Sequence, residues 1–180
     1  GGGSPLEWDR TKHRVNTTGN KTYKPWQSPK DTSLSNEGET NPLFITGVNP
    51  VINRPHRLLP YPNGKTIVMS GTPGYGYTGG GLLFWDREKN IQTLLQDSDV
   101  ISDQSTFSLL ALPGDKLMGG TTTNPGTGGE KKAKEAELYI MDMASKHIEW
   151  HEALMPGVQE YTDLCIGTKC GLVYGIADRK

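Results

Sequence analysis

Three short segments of this chain share one pattern: Leu6-Glu7-Trp8-Asp9, Leu83-Phe84-Trp85-Asp86 and Tyr139-Ile140-Met141-Asp142, followed within a few residues by Lys12, Lys89 and Lys146 respectively. An apolar stretch of strand length ending in Asp, then a short polar turn and a basic residue, recurs because one small β unit is copied along the chain. Asp closes such a turn by accepting backbone N–H groups. Asp9, Asp86 and Asp142 are therefore expected to be architectural and not catalytic.

The copies act as a ruler for strand order. The clearest unit opens at His56, stays apolar to Pro60 and turns at Pro62-Asn63-Gly64, where Asn-Gly predicts a type I′ hairpin. It returns over residues 65–71, crosses a Gly-rich connection at 72–81, and adds strands at 82–86 and 91–96 around a turn at 87–90. The second unit repeats this order with strands at 106–113, 116–120, 138–142 and 147–151 and an insertion at 121–137. Gly71-Thr72 and Gly120-Thr121 are expected at the same place, where the second strand ends. A third unit has only its first two strands, 161–166 and 172–176. The N-terminal segment supplies a third strand at 6–9 and a fourth at 43–47, with a long polar loop over 10–41 between them.

The chain thus divides into four parts: residues 1–55 with third and fourth strands, 56–103 as a complete unit, 104–158 as a complete unit with an insertion, and 159–180 with first and second strands. The expected fold is all-β: a β-propeller of four-stranded antiparallel blades in an incomplete ring of about three blade equivalents, where propellers usually close with about four to eight. Bare sheet edges follow from an incomplete ring, and they predict self-association with another copy.

Composition agrees with many short strands, since 23 Gly and 12 Pro are placed without a period. A net charge of −1 provides no field to attract nucleic acid or an acidic membrane. No run of about 18 apolar residues offers a membrane span, and the N-terminus lacks a charged-then-apolar signal pattern. Gly1-Gly2-Gly3-Ser4 reads equally as a flexible linker or as a Gly-rich strand end. Asn16-Thr17-Thr18 and Asn20-Lys21-Thr22 match the glycosylation acceptor pattern and point to an exposed loop. Cys165 and Cys170 fit either a disulfide across a hairpin, with an oxidising compartment, or two reduced thiols. Neither a metal-ligand spacing nor a cofactor motif is present, so no metal or cofactor is expected.

Ligands of such folds meet the mouth of the channel, near the starts of the innermost strands and the loops from second to third strand. The candidates in that register are Arg54 and His56, Asp103 and Gln104, and Glu160 with Thr162; the plainer alternative is polar residues solvating a channel. Tyr75 and Tyr77 lie on the Gly-rich loop and suit stacking on a sugar ring or service as a phenolic acid, unless they pack over the neighbouring strand. His56 and His151 have the chemistry of a base or metal ligand but stand on different edges of their units. The stretch Glu130-Lys131-Lys132-Ala133-Lys134-Glu135-Ala136-Glu137 reads as a solvated insertion, with Glu135 nearest the returning strand.

The run Arg54-Pro55-His56-Arg57-Leu58-Leu59, Asn63-Gly64-Lys65, Gly71-Thr72-Pro73-Gly74-Tyr75-Gly76, Gly79-Gly80-Gly81-Leu82 and Trp85-Asp86 resembles a blade of large secreted bacterial proteins of the WD40-like or kelch-like propeller type. Asp103-Gln104-Ser105, Gly120-Thr121-Thr122, Lys134-Glu135-Ala136-Glu137-Leu138 and Asp142 extend the likeness over most of residues 40–177. The repeated Trp-Asp signature is incomplete, because Met141 replaces Trp in the third copy. The resemblance implies export to the periplasm or outside the cell. The resemblance is not specific for any activity; register and loop position give the leading expectation, a non-catalytic ligand-binding or scaffolding module for carbohydrate, with Arg54, His56, Tyr75, Tyr77 and Gln104 as contacts. Some propellers of this kind are uronate-polysaccharide lyases, in which Tyr or His abstracts a proton and Arg neutralises the carboxylate; Tyr75 or His56 and Arg54 are the matching residue types here. A protein-interaction platform is the third expectation.

Overall fold

A computed structural model describes residues 3–7, 43–167 and 169–178. Asp9, Lys12, the polar loop at 10–41 and both acceptor tripeptides lie outside the described residues. The described chain is all-β, with no α-helix and a single 3-10 turn at Asp97–Asp99. Two four-stranded antiparallel meanders form its body. The first is β3 (Arg54–Pro60), β4 (Thr66–Thr72), β5 (Leu82–Asp86) and β6 (Ile91–Leu95); the second is β7 (Ser105–Leu112), β8 (Lys116–Thr122), β9 (Leu138–Asp142) and β10 (Ile148–Glu152). A two-stranded sheet of β1 (Leu6–Glu7) and β2 (Leu43–Phe44) precedes them, and β11 (Tyr161–Ile166) with β12 (Val173–Ala177) follows.

Successive side chains of a strand point to opposite faces, and each complete sheet buries both faces. Val68, Leu82 and Phe84 of the first meander meet Leu109, Leu117, Tyr139 and Met141 of the second. Met118 and Leu138, on the second meander's other face, meet Tyr161 and Leu164. Met69 and Leu83 pack on Val48 and Ile52 in the segment before β3. Two-sided burial explains why β5 reads as a continuous apolar run in place of an alternating one. The sheets stack in chain order and do not close into a ring among the described residues.

Two of the repeated acids, Asp86 and Asp142, lie among the described residues, and both close their turns as the recurrence predicts. Asp86 Oδ1 accepts the N–H groups of Glu88 and Lys89, both at 3.0 Å, and Asp142 Oδ1 accepts N–H and hydroxyl of Ser145, both at 2.8 Å. The left-handed residues that end these turns are Asn90 and Lys146, four positions after each Asp.

Two local expectations are corrected. The β3–β4 connection is not a type I′ turn, because Gly64 has a positive φ of 76° but Asn63 does not, and type I′ requires both. Asn63 instead spends its side-chain oxygen on the N–H groups of Lys65 and Thr66, widening the loop. The glycines at the second-strand ends are also displaced by one position: Gly71 pairs with Pro55, and the matching partner of Thr106 is Thr121.

Each first strand carries a register irregularity at the same point, leaving His56, Phe107 and Thr162 outside the ladder. A bulge re-aims the side chain at its apex. Arg57 of β3 also pairs with Asp163 of β11, so the first strands of separate units come within side-chain reach. No helix of the described residues is long and apolar enough to cross a membrane.

Candidate functional site

First strands begin, second strands end and third strands begin at the same end of the stack. The loops at 73–81 and 123–137 meet there and hold each other mainly through the backbone. Gly76 N–H donates to Thr127 C=O at 2.9 Å, Gly126 N–H donates to Tyr77 C=O at 3.0 Å, and the Thr78 hydroxyl donates to Glu130 C=O. Gly126 has to be glycine, since a methyl there would strike the carbonyl oxygen of Gly74. The second loop is held on its far side as well, where Thr123 N–H donates to Gln159 C=O and Ala136 N–H to Val158 C=O.

All five predicted contacts lie at this end, and four of them stand on its exposed face. Arg54 opens β3, and its guanidinium donates to the Thr127 hydroxyl of the neighbouring loop. His56, at the bulge, stacks on Phe107 with centroids 4.0 Å apart, and its Nε2 lies 3.3 Å from the Thr72 hydroxyl. Tyr75 is 79% exposed and Tyr77 55%. The Tyr75 ring lies against Gly128, where an added methyl would come 3.1 Å from its Cζ, so one side of the ring is supported.

Gln104 stands apart from these four. It is buried, and both ends of its amide are engaged: the nitrogen donates to Glu137 Oε1 at 2.9 Å, while the oxygen accepts the Thr121 hydroxyl and the Glu137 N–H. Glu137 in turn holds His151, whose Nδ1 lies 2.6 Å from Oε2. A buried polar side chain needs such partners, because leaving it unmade costs about 1–3 kcal/mol.

The remaining acidic candidates also have structural partners. Asp103 faces Lys132 at 3.3 Å, Glu135 accepts the Gly157 N–H at 2.7 Å, and Glu160 lies 3.4 Å from Asn124 Nδ2. The Thr162 hydroxyl donates to Ile176 C=O at 3.4 Å. The insertion at 130–137 is thus tied into the sheet edge and takes no helical form. Among the described residues, no group of three His, Cys, Asp or Glu side chains converges on a metal position. Cys165 and Cys170 are exposed free thiols.

Two concave regions lie elsewhere. A cavity of about 480 Å³ opens at the opposite end, between the hairpin turns around Tyr61 and Pro113. A second, apolar groove of about 350 Å³ lies between β12 and the second meander. Neither includes Arg54, His56, Tyr75 or Tyr77, all four of which are exposed.

Phe107, Thr127 and Glu137 were not singled out by the sequence. A signal for Phe107 existed: Arg54-Pro55-His56-Arg57-Leu58-Leu59 aligns with Ser105-Thr106-Phe107-Ser108-Leu109-Leu110, which sets His56 opposite Phe107. The loop contact of Thr127 had none, since two Gly-rich loops of unequal length share no register. No protein-family model matches the chain, and no curated protein matches it either.

Proposed function

We propose that the stack is a β-propeller arc of about three blade equivalents, and that its loop end is a carbohydrate-binding face without catalytic activity. The observation that carries this reading is the pair Tyr75 and Tyr77, both exposed on a loop fixed by main-chain hydrogen bonds, with Arg54 and His56 at its foot. An exposed aromatic ring offers an apolar face to the C–H side of a sugar and loses little entropy on binding, because it has two side-chain torsions. Guanidinium and imidazole groups beside it supply directional bonds to hydroxyl or carboxylate oxygens. Gln104 enters as the support of Glu137 and not as a contact.

The openness of the face favours binding over β-elimination. Proton abstraction next to a carboxylate gains from a water-excluding site, whereas Tyr75 and Tyr77 stand in solvent.

Calorimetric titration with a panel of neutral and uronic-acid-containing oligosaccharides tests the proposal. At least one class should bind, and Tyr75→Ala and Tyr77→Ala should each weaken it roughly tenfold or more without lowering the melting temperature. Absence of binding across the panel, or binding unchanged in both variants, would remove this function from the face.

A further inference from the structure

Second strands are interior strands in both meanders. β4 is buried from Val68 to Thr72 and β8 from Leu117 to Thr122, each between a first and a third strand. β12 holds the same register: Leu164 pairs with Gly175 as Leu58 pairs with Met69 and Leu109 with Gly119. Its outer edge has no strand partner among the described residues, and its side chains are bare. Tyr174 is 53% exposed and Ile176 51%, where the matching Val68 and Ser70 of β4 are at 0%.

The complementary surplus is on β1. Three positions before the repeated Asp stand Leu83 and Tyr139, 2% and 0% exposed, and Leu6, 40% exposed. In the meanders Leu83 faces Met69 and Tyr139 faces Gly119, so the register assigns Leu6 to Gly175. Gly119 leaves room for its partner, because a methyl on it would fall within the Tyr139 ring. Gly175 repeats that vacancy and lines the apolar groove with Met118, Leu138, Tyr161 and Leu164. The groove therefore lies on the face where a third strand sends the side chain at Tyr139's position. β1 lies beside the adjacent meander, where Glu7 pairs with Arg87.

We propose that β12 receives β1 of a second copy of this chain, with Leu6 entering the groove over Gly175. Two copies exchange the strand reciprocally, so that each β11–β12 hairpin and each β1–β2 hairpin merge into one four-stranded antiparallel sheet. Reciprocal exchange closes an otherwise head-to-tail contact and leaves none of these edges open to further pairing. The inference rests on the strand repeat and stands independently of the carbohydrate reading.

Sedimentation equilibrium of the 180-residue chain should give twice its 19.7 kDa mass. Leu6→Asp and Ile176→Lys alter side chains already exposed in the single copy, so each should return the mass to one chain while leaving the far-UV spectrum unchanged. In a Cys165→Ser, Cys170→Ser background, mixing Leu6→Cys chains with Gly175→Cys chains under mild oxidation should give a covalent dimer absent from either alone. A one-chain mass at every concentration, a mass that grows without limit, or no mixed dimer on oxidation overturns the proposal.

Discussion

His56 and Phe107 occupy the same register position in adjacent first strands, and their rings stack at 4.0 Å with an interplanar angle of 26°. Both lie at points where the ladder slips, so two backbone irregularities are joined by one ring contact. Such a pair contributes about 0.5–1.5 kcal/mol beyond area burial. A double-mutant cycle of His56→Ala and Phe107→Ala in urea unfolding should show a coupling of that size; additive effects would mean that the stack carries no energy.

Tyr139 is the largest fully buried side chain among the described residues, and its hydroxyl lies 2.9 Å from that of Thr106. Burial raises its pKa well above the ordinary phenol value, so it stays neutral across the usable pH range. Tyr139→Phe keeps the ring and strands the Thr106 hydroxyl, at an expected cost of about 1 kcal/mol. Tyr139→Ala also opens a cavity between the meanders and should cost about 3–5 kcal/mol. Denaturant midpoints measure both, and similar losses for the two variants would show that the ring itself contributes little.

Asp142 carries the clearest pH signature. Hydrogen bonds from Lys116 and from Ser145 hold its carboxyl well below the usual carboxylate range. The folded protein therefore binds this proton less readily than the unfolded chain. The stability so gained is present above the ordinary carboxylate pKa of about 4 and is lost as pH falls from there through the depressed folded value. Asp142→Asn should flatten the acid limb of a melting-temperature profile and lower stability at neutral pH. An acid limb of unchanged slope would assign the loss to other groups.

Catalysis by the loop face has a direct test in the absorbance of new unsaturated ends. Uronic-acid polysaccharides incubated with the protein should show no rise. A rise that disappears in Tyr75→Phe or His56→Ala would make this face a lyase site, with Arg54 as the carboxylate clamp.

Strand positions were legible because their signals are local. Leu82–Asp86 and Leu138–Asp142 were readable from an apolar run closed by an Asp whose side chain caps the turn, and the meander order followed from their spacing. Turn type was less legible, since Asn63-Gly64 signals a two-residue turn and the Asn63 side chain diverts it by capturing two backbone N–H groups. The role of Gln104 was hidden for a different reason. Its register near the channel mouth suggested a contact, whereas Glu137, 33 residues away, draws its amide into a buried network. Arg54, His56, Tyr75 and Tyr77 were placed together at one end of the stack by loop position and register, whereas the second loop that frames them lay outside any periodic pattern.

The loops at 73–81 and 123–137 recognise each other largely by peptide groups, and peptide groups are the same whatever side chains they bear. Support and display are thus separable in this molecule. Exchanging the side chains at 75 and 77 leaves the main-chain bonds of Gly76 to Thr127 and of Gly126 to Tyr77 in place, so the loop end is a surface whose chemistry is open to rewriting while its frame stays constant.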